Sequence, residues 1–187
     1  MRLPRLVTGG SAVAVLLLGV ACGEPFGLLP ARTPNVVDSL VSLYALIGTP
    51  PSQPSGYRLD LGLPVRTDQS TSFDFAFDID SAGRAVLLPT GALRLGRASG
   101  VQITGTPFDS IKLAPDRGYQ LDSAVVVTAG VVALLHSRPT TVCGFSTVYY
   151  AKLQVLAVDS AARRLDFQIL DNQNCGYRGL EPGLPRR

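Results

Sequence analysis

Three cysteines, Cys22, Cys143 and Cys175, and one histidine, His136, are the side chains of this chain with the widest chemical range. Thiols offer a disulfide, a nucleophile, a metal ligand or a point of covalent attachment. For nucleophilic catalysis His136 would have to be the base, since no other imidazole is present. Ser146 in "CGFSTV" lacks the following glycine that a nucleophile elbow requires, and nothing in the spacing joins Ser146, His136 and an acid. A secreted hydrolase using His136 is therefore the alternative reading, and no catalytic residue is expected. Asp78, Asp80 and Gly83 in "DIDSAG" form part of a calcium-loop pattern, but Ala82 and Pro89 occupy positions where oxygen ligands are needed. The stretch reads as a hairpin turn with solvated carboxylates. One histidine and one cysteine pair make a zinc site improbable, and no phosphate-binding or dinucleotide fingerprint occurs, so neither metal nor cofactor is expected.

Which chemistry the thiols follow depends on the segment that precedes Cys22. Arg2 and Arg5 form a short positive region, residues 6–21 (LVTGGSAVAVLLLGVA) an apolar run, and Gly19 and Ala21 are small residues before Cys22. That is the order of a secretory signal, and the run is shorter than the ~20 residues of a spanning helix. The stretch "LGVAC" resembles the lipobox of bacterial lipoproteins, with Ala21 and Val20 in register and Leu18 one place earlier than the pattern has it. The resemblance implies acylation of Cys22, a mature chain beginning there, and a location in the bacterial cell envelope, facing the periplasm or the cell surface; the displaced Leu18 leaves ordinary cleavage near Cys22, without lipid, as the alternative. Lipidation of Cys22 would leave Cys143 and Cys175 as an even pair in an oxidising compartment, so a disulfide between them is expected. Residues 22–35 read as a lipid-anchored tether, rich in proline and glycine.

Composition narrows the partners. From Cys22 onward the chain carries 15 basic and 14 acidic residues, and only Lys112 and Lys152 are lysines. A near-neutral domain without a basic cluster is a poor match for nucleic acid, whose binding depends on neutralising phosphates. The membrane, through the N-terminal lipid, and an envelope protein, glycan or small ligand are the partners expected.

The elements that must carry these residues are strands. In "SFDFAFDI" Phe73, Phe75, Phe77 and Ile79 alternate with Asp74, Ala76 and Asp78, the period-two pattern of a half-buried strand. With the turn "DSAG" and "RAVLLP" it predicts a hairpin over 72–88. A second hairpin is read in "SAVVVTAGVVALLHS", turning at Gly130. The third and longest joins Ser146–Val158 to Arg164–Leu170, with Leu165, Phe167 and Ile169 on one face. If Val158 lies opposite Arg163 or Arg164, Cys143 and Cys175 fall near each other at the open end of that hairpin. Residues 36–47 fit either a helix capped by Asn35 or an alternating strand; the β-rich context selects the strand. Weaker strands are expected at 57–61, 92–95, 100–104, 109–113 and 121–127.

Tyr149 and Tyr150, with Tyr119, Tyr177 and His136, could line a pocket for an aromatic or haem-like ligand, and "VYYAKLQVL" is similar to a strand of bacterial haem-scavenging lipoproteins, a resemblance that carries no ligand residue; alternation makes core packing and strand propensity the default reading. The chain is thus expected to comprise a signal peptide (1–21), a tether (22–35), a single all-β domain (36–178) forming an antiparallel sandwich or barrel, and a disordered tail (179–187). Its expected role is that of a non-catalytic binding or structural module.

Overall fold

Phe75, Phe77, Phe167, Leu153 and Leu165 are all buried between two β-sheets in the computed structural model, which describes residues 29–141 and 146–185. The strands are β1 (Val37–Tyr44), β2 (Gly56–Arg58), β3 (Leu63–Val65), β4 (Phe75–Ile79), β5 (Ala85–Pro89), β6 (Gly100–Thr104), β7 (Val125–Val126), β8 (Val132–His136), β9 (Tyr150–Asp159) and β10 (Arg164–Asn172). Among the described residues they form two antiparallel five-stranded sheets, ordered β1-β10-β9-β8-β6 and β3-β2-β4-β5-β7. The all-β expectation holds, as a sandwich of two separate sheets.

The inward faces follow the period-two pattern. Leu165, Phe167 and Ile169 of β10 and Ala151, Leu153 and Val155 of β9 face Tyr57, Phe75, Phe77 and Leu87 of the other sheet in one continuous core. Tyr57 stacks on Phe75 at 5.6 Å, and Phe167 meets Tyr57 and Phe75 edge-on at 6.0 and 6.3 Å, so three aromatic rings join the sheets. A smaller core lies on the outer face of the first sheet, where Phe108, Ile111, Ala114 and Leu180 cover Val132, Leu134 and Leu170.

Segment 36–47 is the strand β1 over Val37–Tyr44, paired antiparallel with β10. The first hairpin forms as β4 and β5, but its polar face is buried too: Asp74, Ala76 and Asp78 are all enclosed. The loop after β1 lies against it, with Leu46 N–H donating to Phe77 O and Ile47 N–H to Asp78 Oδ1. The third hairpin forms as β9 and β10, with Val158 opposite Leu165 and a register shift between Asp166 and Phe167.

The second expected hairpin does not exist. Gly130 does take a positive φ of 86°, yet β7 pairs with β5 in one sheet while β8 pairs with β6 and β9 in the other. Val127 N–H still donates to Ala85 O, whereas Gly130 N–H donates to Val155 O, so the chain crosses between sheets over 127–130. Both apolar arms find buried edges, and neither needs the other. Residues 92–95 are not a strand: Thr90–Leu93 is a 3₁₀ turn, fixed by Thr90 Oγ1, which donates to Gly96 O, and by Ser99 Oγ, which accepts from Thr90 N–H. At 109–113 another 3₁₀ turn, Phe108–Ser110, is followed by a single bridge from Leu113 to Gly179. The expected strand 121–127 shortens to β7, and 57–61 becomes β2. The strand β3 was not foreseen; Pro64 within it suits its place at the sheet edge, where a missing N–H breaks no ladder.

Neither flank behaves as a free segment within the described range. Residues 179–185, expected to be disordered, pack on the domain: Leu180 is fully buried and Gly183 bridges Asn35. The tether's last residues do likewise, since Asn35 is buried.

Candidate functional site

The cluster least explained by core packing is polar and lies where β10 ends. Asn172, Asn174 and Asn35 are all buried there, and each holds main-chain groups that β-ladders leave unpaired. Asn172 Nδ2 donates to Tyr177 O (3.1 Å) and Gly179 O (2.8 Å), fixing the curl of "NCGYRG". Its Oδ1 accepts from the main chain and the amide of Asn174, both at 2.9 Å; the first bond closes an Asx turn. Asn174 Oδ1 then accepts from Arg32 N–H (2.8 Å) and Thr33 N–H (3.0 Å), while its Nδ2 donates to Thr33 O (2.7 Å). Asn35 Nδ2 reaches Gly179 O and Glu181 O, each at 3.0 Å. Tyr177 Oη donates to Leu29 O at 3.0 Å. The result is a clamp that holds 29–35 against 172–183 through bonds spanning almost the whole domain in sequence.

Cys175 sits inside this clamp, between Asn174 and Tyr177, with Tyr149 Oη 3.3 Å from its sulfur. Cys22 and Cys143 lie outside the described residues, so lipidation and the pairing of Cys143 with Cys175 are not described among them.

Beside the clamp opens a cleft of about 180 Å³ lined by Arg58, Asp60, Asp74, Ser137, Arg138 and Thr140. Two ion pairs occupy it. Asp74 Oδ1 accepts from Arg138 N–H and Nε (2.8 and 3.1 Å), and its Oδ2 from Leu59 N–H (2.8 Å). Burial pushes the Asp74 carboxyl upward, against the pull of those donors. Burial acts on Asp60 in the same sense, but the hydrogen bond and charge of Arg58 outweigh it and hold that carboxyl below its ordinary value. Both carboxylates are committed to donors, so the cleft is a self-neutralised polar surface.

His136 is nearby but differently employed. Its Nδ1 donates to Ser137 O at 2.9 Å, which fixes the tautomer, and its ring packs edge-on against Tyr119 at 4.6 Å. The Nε2 side lies against Gly100, where an added Cβ would stand 2.6 Å away. Ser137 Oγ donates to Arg138 O and accepts from Tyr149 N–H, and Ser146 is exposed with no hydrogen bond to the imidazole among the described residues. The geometry holds an imidazole in place without a nucleophile beside it. Burial depresses the His136 value from 6.5, so the unfolded chain takes up a proton first as pH falls. The stabilisation present above pH 6.5 is therefore lost as pH falls through the folded value. Asp74 and Asp171, raised by burial, act in the opposite sense, losing stabilisation as pH rises from 3.8 through their folded values. Comparing His136→Gln with the parent isolates the first effect: urea unfolding at pH 6.5 and pH 5 should show a smaller loss of stability on acidification in the variant.

The five pocket candidates split, Tyr119 and Tyr150 lying with His136 on one face and the other two tyrosines elsewhere. Tyr149 belongs to the inter-sheet core, Tyr150 and Tyr119 pack on the outer core, and Tyr177 serves the clamp. In "DIDSAG" Asp80 accepts from Ala82 N–H, Arg84 N–H and the Arg84 guanidinium, and Asp78 faces Arg163 at 3.5 Å. These carboxylates build a turn and tie it to the β9–β10 turn.

Sequence reasoning placed Lys152 only on the polar side of its strand. The side chain is buried on the outer face of β9, where Nζ donates to Phe108 O (2.9 Å) and Ile111 O (3.0 Å) and stands 4.6 Å from the Phe108 ring centre. Burial pulls its value down. One cation thus pins the 3₁₀ turn to the sheet. Lys152→Ala should lower the unfolding free energy by about 2 kcal/mol, because two carbonyls lose their donor and the stem its packing. Amide exchange in 105–114 should accelerate in the same variant; an unchanged urea midpoint would show that the pin is dispensable. The asparagines were visible in "DNQNCGYRGL", whose Asn-x-Asn spacing is an Asx-turn signal, but their long-range partners left no local trace.

No protein-family model matches the chain, and no curated protein matches it in sequence.

Proposed function

We propose that this chain is an exported bacterial cell-envelope protein, anchored by lipid at Cys22, whose sandwich is a non-catalytic binding or structural module. Its strongest support is the asparagine clamp. The chain is held from Leu29 onward, so only residues 22–28 separate the domain from the anchoring thiol. At ~3.5 Å per residue they reach no more than about 25 Å. A domain that grips its own N-terminal segment so close to the cysteine is suited to being held from that point. The signal-like order of residues 2–22 and the resemblance of "LGVAC" to a lipobox support the same reading.

Within it, Cys143 pairs with Cys175. The bridge between Thr140 and Thr147 closes the segment that contains Cys143 in sequence, and Gly176 N–H donates to Val148 O, which brings Cys175 to the foot of that segment. Such a bond would stabilise the fold by about 2–4 kcal/mol, chiefly by restricting the unfolded chain. Intact mass of membrane-extracted protein, under non-reducing conditions and with a thiol-alkylating reagent, tests both assignments. The expected species begins at Cys22, carries acyl chains and takes up no alkylating group. A soluble, unacylated chain with an alkylatable thiol would overturn the anchor and the pairing together.

A further inference from the structure

We infer that the sandwich stands with its clamp end on the membrane, resting the ledge formed by 33–36, 112–113 and 179–185 against the lipid headgroups. This rests on the lipid anchor proposed above and adds which face meets the bilayer. Leu29, the first described residue, lies on the same end as Asn172, Asn174 and the start of β1. Large aliphatic side chains are exposed along this strip: Leu29 by 60%, Val36 by 69%, Leu113 by 54% and Leu184 by 60%. Leu113 and Leu184 line one groove, and the bridge between Gly183 and Asn35 sets Val36 beside it. Exposed apolar groups gathered on one end of a domain mark a contact surface.

The length of the tether selects the occupant. Lys112 is exposed at the groove and paired with Glu181 at 3.4 Å, so these two charges cancel. Aliphatic side chains beside a neutralised pair suit the headgroup boundary, where the leucines find apolar depth and the pair stays wet. The opposite end carries Ile47 beside the self-satisfied pairs Arg84 with Asp80 and Arg163 with Asp78. A tether reaching at most about 25 Å keeps the ledge at high effective concentration over the bilayer, so a weak contact suffices. The loops at 48–54, 80–84 and 159–163 then face away from the membrane, toward partners.

Hydroxyl-radical footprinting of the acylated full chain in phosphatylethanolamine and phosphatidylglycerol vesicles tests the orientation, with the unacylated Cys22→Ser chain in solution as reference. Modification of Leu29, Val36, Leu113 and Leu184 should fall several-fold on vesicles while Ile47 stays unchanged. Combining Leu113→Glu with Leu184→Glu, both at exposed positions, should restore the reactivity of Val36 with the acyl mass intact. Equal reactivity of the four side chains in the acylated and reference samples would overturn the orientation and leave the anchor standing. Absence of the acyl mass in the same sample would overturn both.

Discussion

Phe167→Ala should lower the unfolding free energy by about 3–5 kcal/mol, a large share of the roughly 5–15 kcal/mol that holds a domain folded. Phe167 is fully buried, and its ring, on the first sheet, meets both Tyr57 and Phe75 of the second. Truncation removes the transfer free energy of the ring and leaves a cavity that two sheets, each stiffened by its own ladder, cannot close. Phe167→Leu keeps most of the volume and should lose only about 1–1.5 kcal/mol. Leu40→Ala, on the neighbouring strand β1 but 64% exposed, serves as the control and should change stability by no more than about 0.5 kcal/mol. Urea midpoints at fixed pH check all three. A Phe167→Ala protein within about 1 kcal/mol of the parent would mean that the two sheets are not held together through this ring.

That prediction draws on the part of the fold that was legible from residue order. Alternation in β10 named its inward residues Leu165, Phe167 and Ile169, because a side-chain period of two is a local property of an extended chain. It could not tell which strand each arm would pair with. The run around Gly130 looks like a hairpin because both arms are apolar and a glycine lies between them; pairing in different sheets is decided by free edges of β5 and β9 distant in sequence. Asp74 and Asp78 show the same limit from the other side. Their charge marked a solvent face, but donors from Arg138, Leu59 and Ile47 compensate their burial from far along the chain. The clamp was least legible of all. Buried amides announce themselves only through partners, and those that Asn174 finds at Arg32 and Thr33 lie more than 140 residues away.

Asn172→Asp is the variant that exposes the clamp's chemistry, and at pH 7 it should be destabilised by about 3 kcal/mol, more than Asn172→Ala. Both lose the donor that serves Tyr177 O and Gly179 O. Alanine removes one bond from each of Tyr177 O, Gly179 O and the two Asn174 donors; Gly179 O keeps Asn35 Nδ2, Asn174 Nδ2 keeps Thr33 O, and local relaxation or a water can answer the rest. Aspartate keeps an oxygen for Asn174 but turns the other toward two carbonyls, placing an anion against acceptors in a buried site. That repulsion raises the folded value of the new carboxyl above its unfolded one. The native state therefore binds the proton more tightly, and the penalty recedes as pH falls through the folded value, where a protonated oxygen again donates. Urea unfolding at pH 7 and pH 5 should show the gap between Asp and Ala variants narrowing in acid. Amide exchange of Arg32 and Thr33, which hang from Asn174, should quicken in both variants at pH 7, with exchange in the centre of β9 far less affected. An aspartate variant no less stable than the alanine one at pH 7 would show that Asn172 does not act as a donor to the curl. The grip on the N-terminal segment would then have to come from Asn174, Asn35 and Tyr177 without support from Asn172.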